Sequence, residues 1–286
     1  MRLDTGLSHA VEALTREGFV AVSVDVVSAQ AAWAGEPDSG RGYSQLIDAH
    51  LGLLADLNRG VMHGLRIPGV KGRIDTGRVG LVGHSRGGGY VLSGAAAARP
   101  GLFAVVAVEP ELSDTAAHTV PVLTIRGTCD EDTGPAAGQD WMKELAMSHS
   151  TRVAVDAVLA GGGHAMLNTN LDPALAAAAQ ACPGGAVADP AAARDQVGQL
   201  GAAFMAQALR KATHYTLPTV DGQITGRNLV ENGPAATFRP AGGAGYTDPL
   251  AIRTTTSGNR LLPAVPKGLK INRTGDMGAV EGGPPT

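Results

Sequence analysis

The chain has 286 residues, 44% of them hydrophobic and 17% charged, with a formal net charge of -3. That length buries a sizeable core in one large α/β domain or two smaller ones. The near-neutral balance offers no basic patch, which argues against a nucleic-acid partner, and no apolar run approaches the roughly 18 residues of a bilayer span.

Residues 8–17 predict a helix stopped by Gly18, and residues 19–27 a buried strand interrupted by Ser23 and Asp25. Residues 44–58 carry Leu46, Ile47, His50, Leu51 and Leu54 at helical spacing, with Gly60 as the stop. A short apolar strand follows at 78–83, then a small-residue helix at 87–99 closed by Pro100 and Gly101. Strands are predicted at 102–108 and 121–126, a helix near 136–147, and a last clear strand at 152–159. Asp172-Pro173 and Asp189-Pro190 each supply an N-cap with proline at the first helical position. The second of these helices runs to about residue 212 and carries Val197, Leu200, Phe204 and Leu209.

Alternating strands and helices, with strands apolar throughout, predict a mostly parallel sheet covered on both faces over residues 1–211. Residues 212–286 hold twelve Gly and eight Pro. That texture predicts an irregular Gly/Pro-rich extension, disordered from 275 on, with short strands at 215–217, 223–225 and 251–253. Cys129 and Cys182 stand outside any Cys-x-x-Cys or His/Cys cluster, so no zinc site is predicted. Two isolated thiols are the simpler expectation, and a disulfide the expectation if the protein is exported. Residues 1–5 show no charged-then-apolar leader, so no signal peptide is expected in them.

The chemistry centres on Gly83-His84-Ser85-Arg86-Gly87, placed between the predicted strand at 78–83 and the helix at 87–99. A G-x-S-x-G turn forces its serine onto a sharp strand-to-helix bend, where the flanking glycines avoid clashes and the hydroxyl is presented outward. Serine is a poor nucleophile without a base, and the base needs a third group to orient it. In this architecture the acid follows the serine and the histidine comes last. Of eight histidines, His214 lies in the tail, and His164 alone sits in the loop after the last clear strand, behind Gly161-Gly162-Gly163. The acid belongs at the end of the strand 121–126, where Asp130 fits the Gly-x-x-Asp turn; Asp132 is the rival, with Glu109 and Glu111 weaker ones. The backbone N–H of Arg86 is the expected oxyanion donor. Tyr90 and Trp141 are the candidate substrate contacts, with Trp33 and Tyr43 behind them.

Over about residues 8–210 these features resemble the α/β-hydrolase superfamily. Residues 78–88, Gly162-Gly163-His164 with Asn168-Thr169, and the helix and strand at 14–22 are similar to its dienelactone-hydrolase-like and cutinase/polyester-hydrolase-like branch. The resemblance implies a Ser85, Asp130, His164 triad, no metal or organic cofactor, and a small-molecule or polymeric ester substrate. It also implies a strand and a second oxyanion donor ahead of the first helix, and only residues 1–7 precede that helix. A gap is therefore expected in the sheet between residues 19–27 and 78–83, with unpaired backbone on both sides. A start further upstream, which leaves room for an export signal, is the favoured expectation; a non-catalytic binding protein on a hydrolase scaffold and a tail segment filling the gap are the others. Compartment and oligomeric state have no signature in the sequence.

Overall fold

The computed structural model describes residues 3–27, 39–65, 67–112, 115–116, 118–134, 153–171, 182, 187–210, 224–231, 252–254 and 261–263. Trp33, Trp141, the helix near 136–147, the one begun by Asp172-Pro173, the strand at 215–217 and the segment past 275 lie outside these residues. The described elements in chain order are α1 (Ser8–Arg16), α2 (Ser39–Arg59), β1 (Val79–His84), α3 (Arg86–Val91), α4 (Gly94–Ala97), β2 (Leu102–Val108), β3 (Val122–Gly127), β4 (Val153–Leu159), α5 (Pro190–Leu209), β5 (Ile224–Glu231), β6 (Ile252–Thr254) and β7 (Leu261–Pro263).

Among the described residues the main sheet has the order β1-β2-β3-β4-β5. The first four strands are parallel, in registers such as His84↔Val108, Val108↔Ile125 and Ile125↔Ala157. β5 closes the far edge antiparallel to β4, pairing Leu159 with Ile224. Strands buried on both faces need continuous apolar sequence, and β2 (Leu-Phe-Ala-Val-Val-Ala-Val) is of that kind. One face packs Leu123, Ile125, Val155 and Leu159 against α5 through Val197, Leu200, Phe204 and Met205, with α1 beyond. The other packs Leu81, Val105, Ala107 and Val122 against Tyr43 of α2 and Tyr90, Val91 and Leu92. Phe204, Leu123 and Ile125 are fully buried, each a gain of about 1.5–3 kcal/mol over an exposed side chain.

Three expectations change. The helix expected over 87–99 is two helices, because the chain turns at Leu92 and Ser93 and the Ser93 hydroxyl caps the second by accepting from Ala96 N at 3.3 Å. The helix expected from residue 44 begins at Ser39. Residues 19–26 lie where a strand was expected but carry no ladder, and Val20 and Val22 stand about half exposed. The cause is the gap itself. No described residue pairs with the outer edge of β1, and a cavity of about 1130 Å³ is lined by residues 19–24 and 26 together with 79–83. The tail strand β5 sits at the opposite edge, so it does not fill this space. The helix begun by Asp189-Pro190 forms as expected, with the Asp189 carboxylate accepting from Ala192 N at 2.8 Å.

One buried ion pair joins two central strands. Arg126 donates from Nε to Asp156 Oδ1 at 2.8 Å and from Nη2 to Oδ2 at 2.5 Å, and Thr124 Oγ1 donates to Oδ1 at 2.7 Å. All three residues are buried. Removing one partner strands the other as an uncompensated charge, so Asp156→Ala should lower the unfolding free energy by about 3–5 kcal/mol. Chemical denaturation measures this, and a loss below the level of an ordinary surface substitution would contradict the buried pairing.

Candidate active site

Ser85 occupies the bend between β1 and α3 with φ 57° and ψ −123°, a backbone region that side-chain-bearing residues rarely adopt. Three hydrogen bonds hold it there. Its N–H donates to Val108 O at 3.0 Å, and its carbonyl accepts from Gly89 N at 2.9 Å and Glu111 N at 3.0 Å. The surrounding glycines are required sterically: a Cβ on Gly83 would strike the Gly87 carbonyl, and one on Gly89 the Glu111 carbonyl. Arg86 is the first residue of α3, so its N–H has no acceptor within the helix. The Arg86 side chain turns aside to Glu111, with Nε to Oε2 at 3.0 Å.

His164 lies in the loop after β4, and Ser85, Asp132 and His164 line the same cavity. The loop is fixed by a group that sequence reasoning did not single out. Glu131 accepts from His164 N at 2.8 Å and from Ala165 N at 2.9 Å, capping the short 3₁₀ turn Ala165–Leu167. The imidazole is buried, with Nδ1 3.2 Å from Asp130 Oδ1 and Nε2 3.4 Å from Asp132 Oδ2. The Nδ1–Oδ1 approach is close in distance but not aligned as a hydrogen bond. Of the weighed acids, then, Asp130 faces Nδ1, Asp132 faces Nε2 from an exposed position, and Glu111 is engaged with Arg86. Among the described residues no hydrogen bond joins Ser85 Oγ to His164.

Asp130 is built to stay ionised. Its Oδ1 accepts from Asp132 N at 3.0 Å and Thr133 N at 2.9 Å, and its Oδ2 from Thr133 Oγ1 at 2.5 Å. Burial pushes its pKa up, but His164 and Thr133 outweigh burial and hold it below the usual carboxylate value. Glu109 is the opposite case. Fully buried at the end of β2, with φ 43°, it has its pKa raised well above normal by burial, and further by the nearby Asp130 and Glu131 carboxylates. His84 is pushed down to about 3, first by burial and then by His164, whose ring centroid is 4.6 Å away.

Tyr90 is buried and stacked on Tyr43 at 5.2 Å, and its hydroxyl is engaged with Ser44 Oγ at 2.9 Å and Arg99 Nη2 at 3.3 Å. It lines the cavity and belongs to the core on that face of the sheet. Trp141 lies outside the described residues.

The cysteines are not free thiols. Cys129 is bridged to Cys182, with Cα atoms 5.0 Å apart and a sequence separation of 53, which corrects the simpler expectation. Spacing alone could not have revealed this, because 53 residues of chain impose no distance. The bridge adjoins Asp130 directly, and Cys129 N also donates to Gly162 O at 2.8 Å beside His164.

A sharp, strained serine turn on a parallel sheet, with an acid and a histidine in successive loops at the strands' C-terminal ends, defines the α/β-hydrolase class. Within that class, residues 5–140 match the model of a family described as PET hydrolase-like, a little under half of the chain. The matched stretch contains the serine turn and Asp130 and ends before His164. It supports the polyester-hydrolase-like branch that the motifs resemble, and with it an ester hydrolase of this fold. No curated protein matches the chain. Among the described residues no helix is long and apolar enough to cross a membrane.

Closing a loop of this length restricts the unfolded chain, at about 4 kcal/mol in the entropic limit. Replacing both Cys129 and Cys182 with serine should therefore lower the unfolding free energy by about 2–4 kcal/mol. A denaturant midpoint equal to that of the unaltered protein would show that the bridge contributes nothing.

Proposed function

We propose that the protein cleaves carboxylic esters through an acyl-enzyme on Ser85. The observation that carries this reading is the strained backbone at Ser85, held by three hydrogen bonds in a turn whose glycines leave no other arrangement. Such strain is retained where the exposed hydroxyl has work to do. Ser85 Oγ attacks the ester carbonyl carbon while His164 Nε2 takes the hydroxyl proton. The tetrahedral intermediate collapses to the acyl-enzyme, and His164 returns the proton to the leaving alcohol. Water then attacks the acyl carbon by the same proton route and frees the acid. Asp130 keeps the Nδ1–H tautomer and stabilises the imidazolium as it forms. The Arg86 N–H stabilises the oxyanion; in general one such donor is worth about 2.7–4 kcal/mol.

For this cycle the Nε2 edge of His164 must exchange Asp132 for Ser85 Oγ, a reorientation that substrate entry at the cavity mouth would drive. The substrate we assign is a small or extended acyl ester, polyester included, with no cofactor, and with Tyr90 beside the acyl chain. Residues 109–121 leave no room for a long lid, which fits an open site. Perhydrolysis and amide cleavage would use the same groups. A binding protein without turnover is the reading favoured by the Nε2–Asp132 contact and by the outer edge of β1, which no described residue pairs.

A fluorophosphonate probe and a short p-nitrophenyl ester separate these. The proposal expects covalent labelling and hydrolysis by the unaltered protein, both lost in a folded Ser85→Ala variant. His164→Ala should reduce turnover by about a thousandfold or more. Folded protein that neither labels nor hydrolyses would establish the binding reading instead.

A further inference from the structure

Behind the serine turn, four buried polar atoms make no hydrogen bond: His84 Nε2, Glu109 Oε1 and Oε2, and His164 Nδ1. The three side chains are 8%, 0% and 5% exposed. Glu109 Oε2 is 3.6 Å from His84 Nε2 and 3.6 Å from His164 Nδ1, and the three ligand atoms all lie within 4.8 Å of one another. Buried polar groups without partners cost free energy wherever they occur, and several meeting at one point ask for a shared partner. Four metal bonds of about 2.0–2.1 Å in tetrahedral array put neighbouring ligand atoms roughly 3.3 Å apart. The two Glu109 separations need only a few tenths of an ångström of closure to reach that, and the two imidazole nitrogens, within 4.8 Å of each other, need at most about 1.5 Å. Two imidazole nitrogens with one carboxylate oxygen suit zinc and its neighbours, and not calcium or magnesium, which take oxygen ligands.

We propose that His84, Glu109 and His164 form a binding site for a zinc-type divalent ion that switches the ester hydrolase off. The metal takes the lone pair of His164 Nδ1, the atom that faces Asp130. A neutral imidazole has one N–H, so metal on Nδ1 leaves the proton on Nε2. Nε2 then cannot accept the proton of Ser85. The inhibitory consequence rests on the function proposed above; metal binding itself does not.

The test titrates the metal-stripped full chain with Zn²⁺ against a chromogenic chelator, in parallel with ester turnover. The proposal expects one Zn²⁺ per chain, bound equally by Ser85→Ala. Binding should be weaker by about tenfold or more in His84→Gln and in Glu109→Gln, since even outer-shell substitutions cost that much. Turnover of the unaltered protein should fall with the same midpoint and return on adding EDTA. Should either variant misfold, the Co²⁺ spectrum of the unaltered protein decides: intense bands of a four-coordinate ion support the site, and the weak bands of a six-coordinate ion overturn it. Binding unchanged in both variants, or no stoichiometric binding, overturns it as well. Zinc binding that both variants weaken, in a protein without esterase activity, would keep the metal site and remove the proposed function.

Discussion

Everything at the site hangs from the backbone of one residue. Ser85 sits at φ 57°, and the Val108, Gly89 and Glu111 backbones hold it there. A residue in that conformation costs on the order of 1–3 kcal/mol and persists only when its surroundings over-determine it. The surroundings are the end of β2 and the glycines that let α3 lie against it. The same close approach brings Glu109 under His84, so the strain at the turn and the buried cluster behind it share one cause.

The second loop is fixed from a distance. Glu131 follows β3 yet caps the turn that starts at His164, and the Cys129–Cys182 bridge adjoins the same strand end. The loop of Asp130 therefore carries the support of the His164 loop as well as its partner. Disulfides persist in oxidising surroundings, so the order of this site is tied to the redox state of its setting.

The parts of the molecule legible in sequence were those set by local pattern. β2 could be read because every residue in it is apolar, and the serine turn because its glycines have one steric use. Asp130 and His164 could be named from chain order, and the structure places them 3.2 Å apart. What was not legible was set by contacts distant in the chain. Residues 19–26 have strand-like composition, but pairing needs a neighbour, and none is among the described residues. Glu131 has no local signal because its partners lie 33 and 34 residues away. The break at Ser93 is hidden by a sequence of small residues that suits either one helix or two.

The Arg126–Asp156 pair also acts as a key for alignment. β3 delivers Asp130 and β4 delivers His164, so the sliding of one strand along the other decides whether acid and imidazole meet. A slip of one residue moves a strand by about 3.3 Å and turns its side chains to the opposite face. Apolar contacts in this core would tolerate some misalignment, since alanine and valine recur along β4. A bidentate guanidinium–carboxylate contact would not, because a shifted register leaves two charges buried apart. The interior ion pair thus proofreads the pairing of the two strands whose ends carry Asp130 and His164.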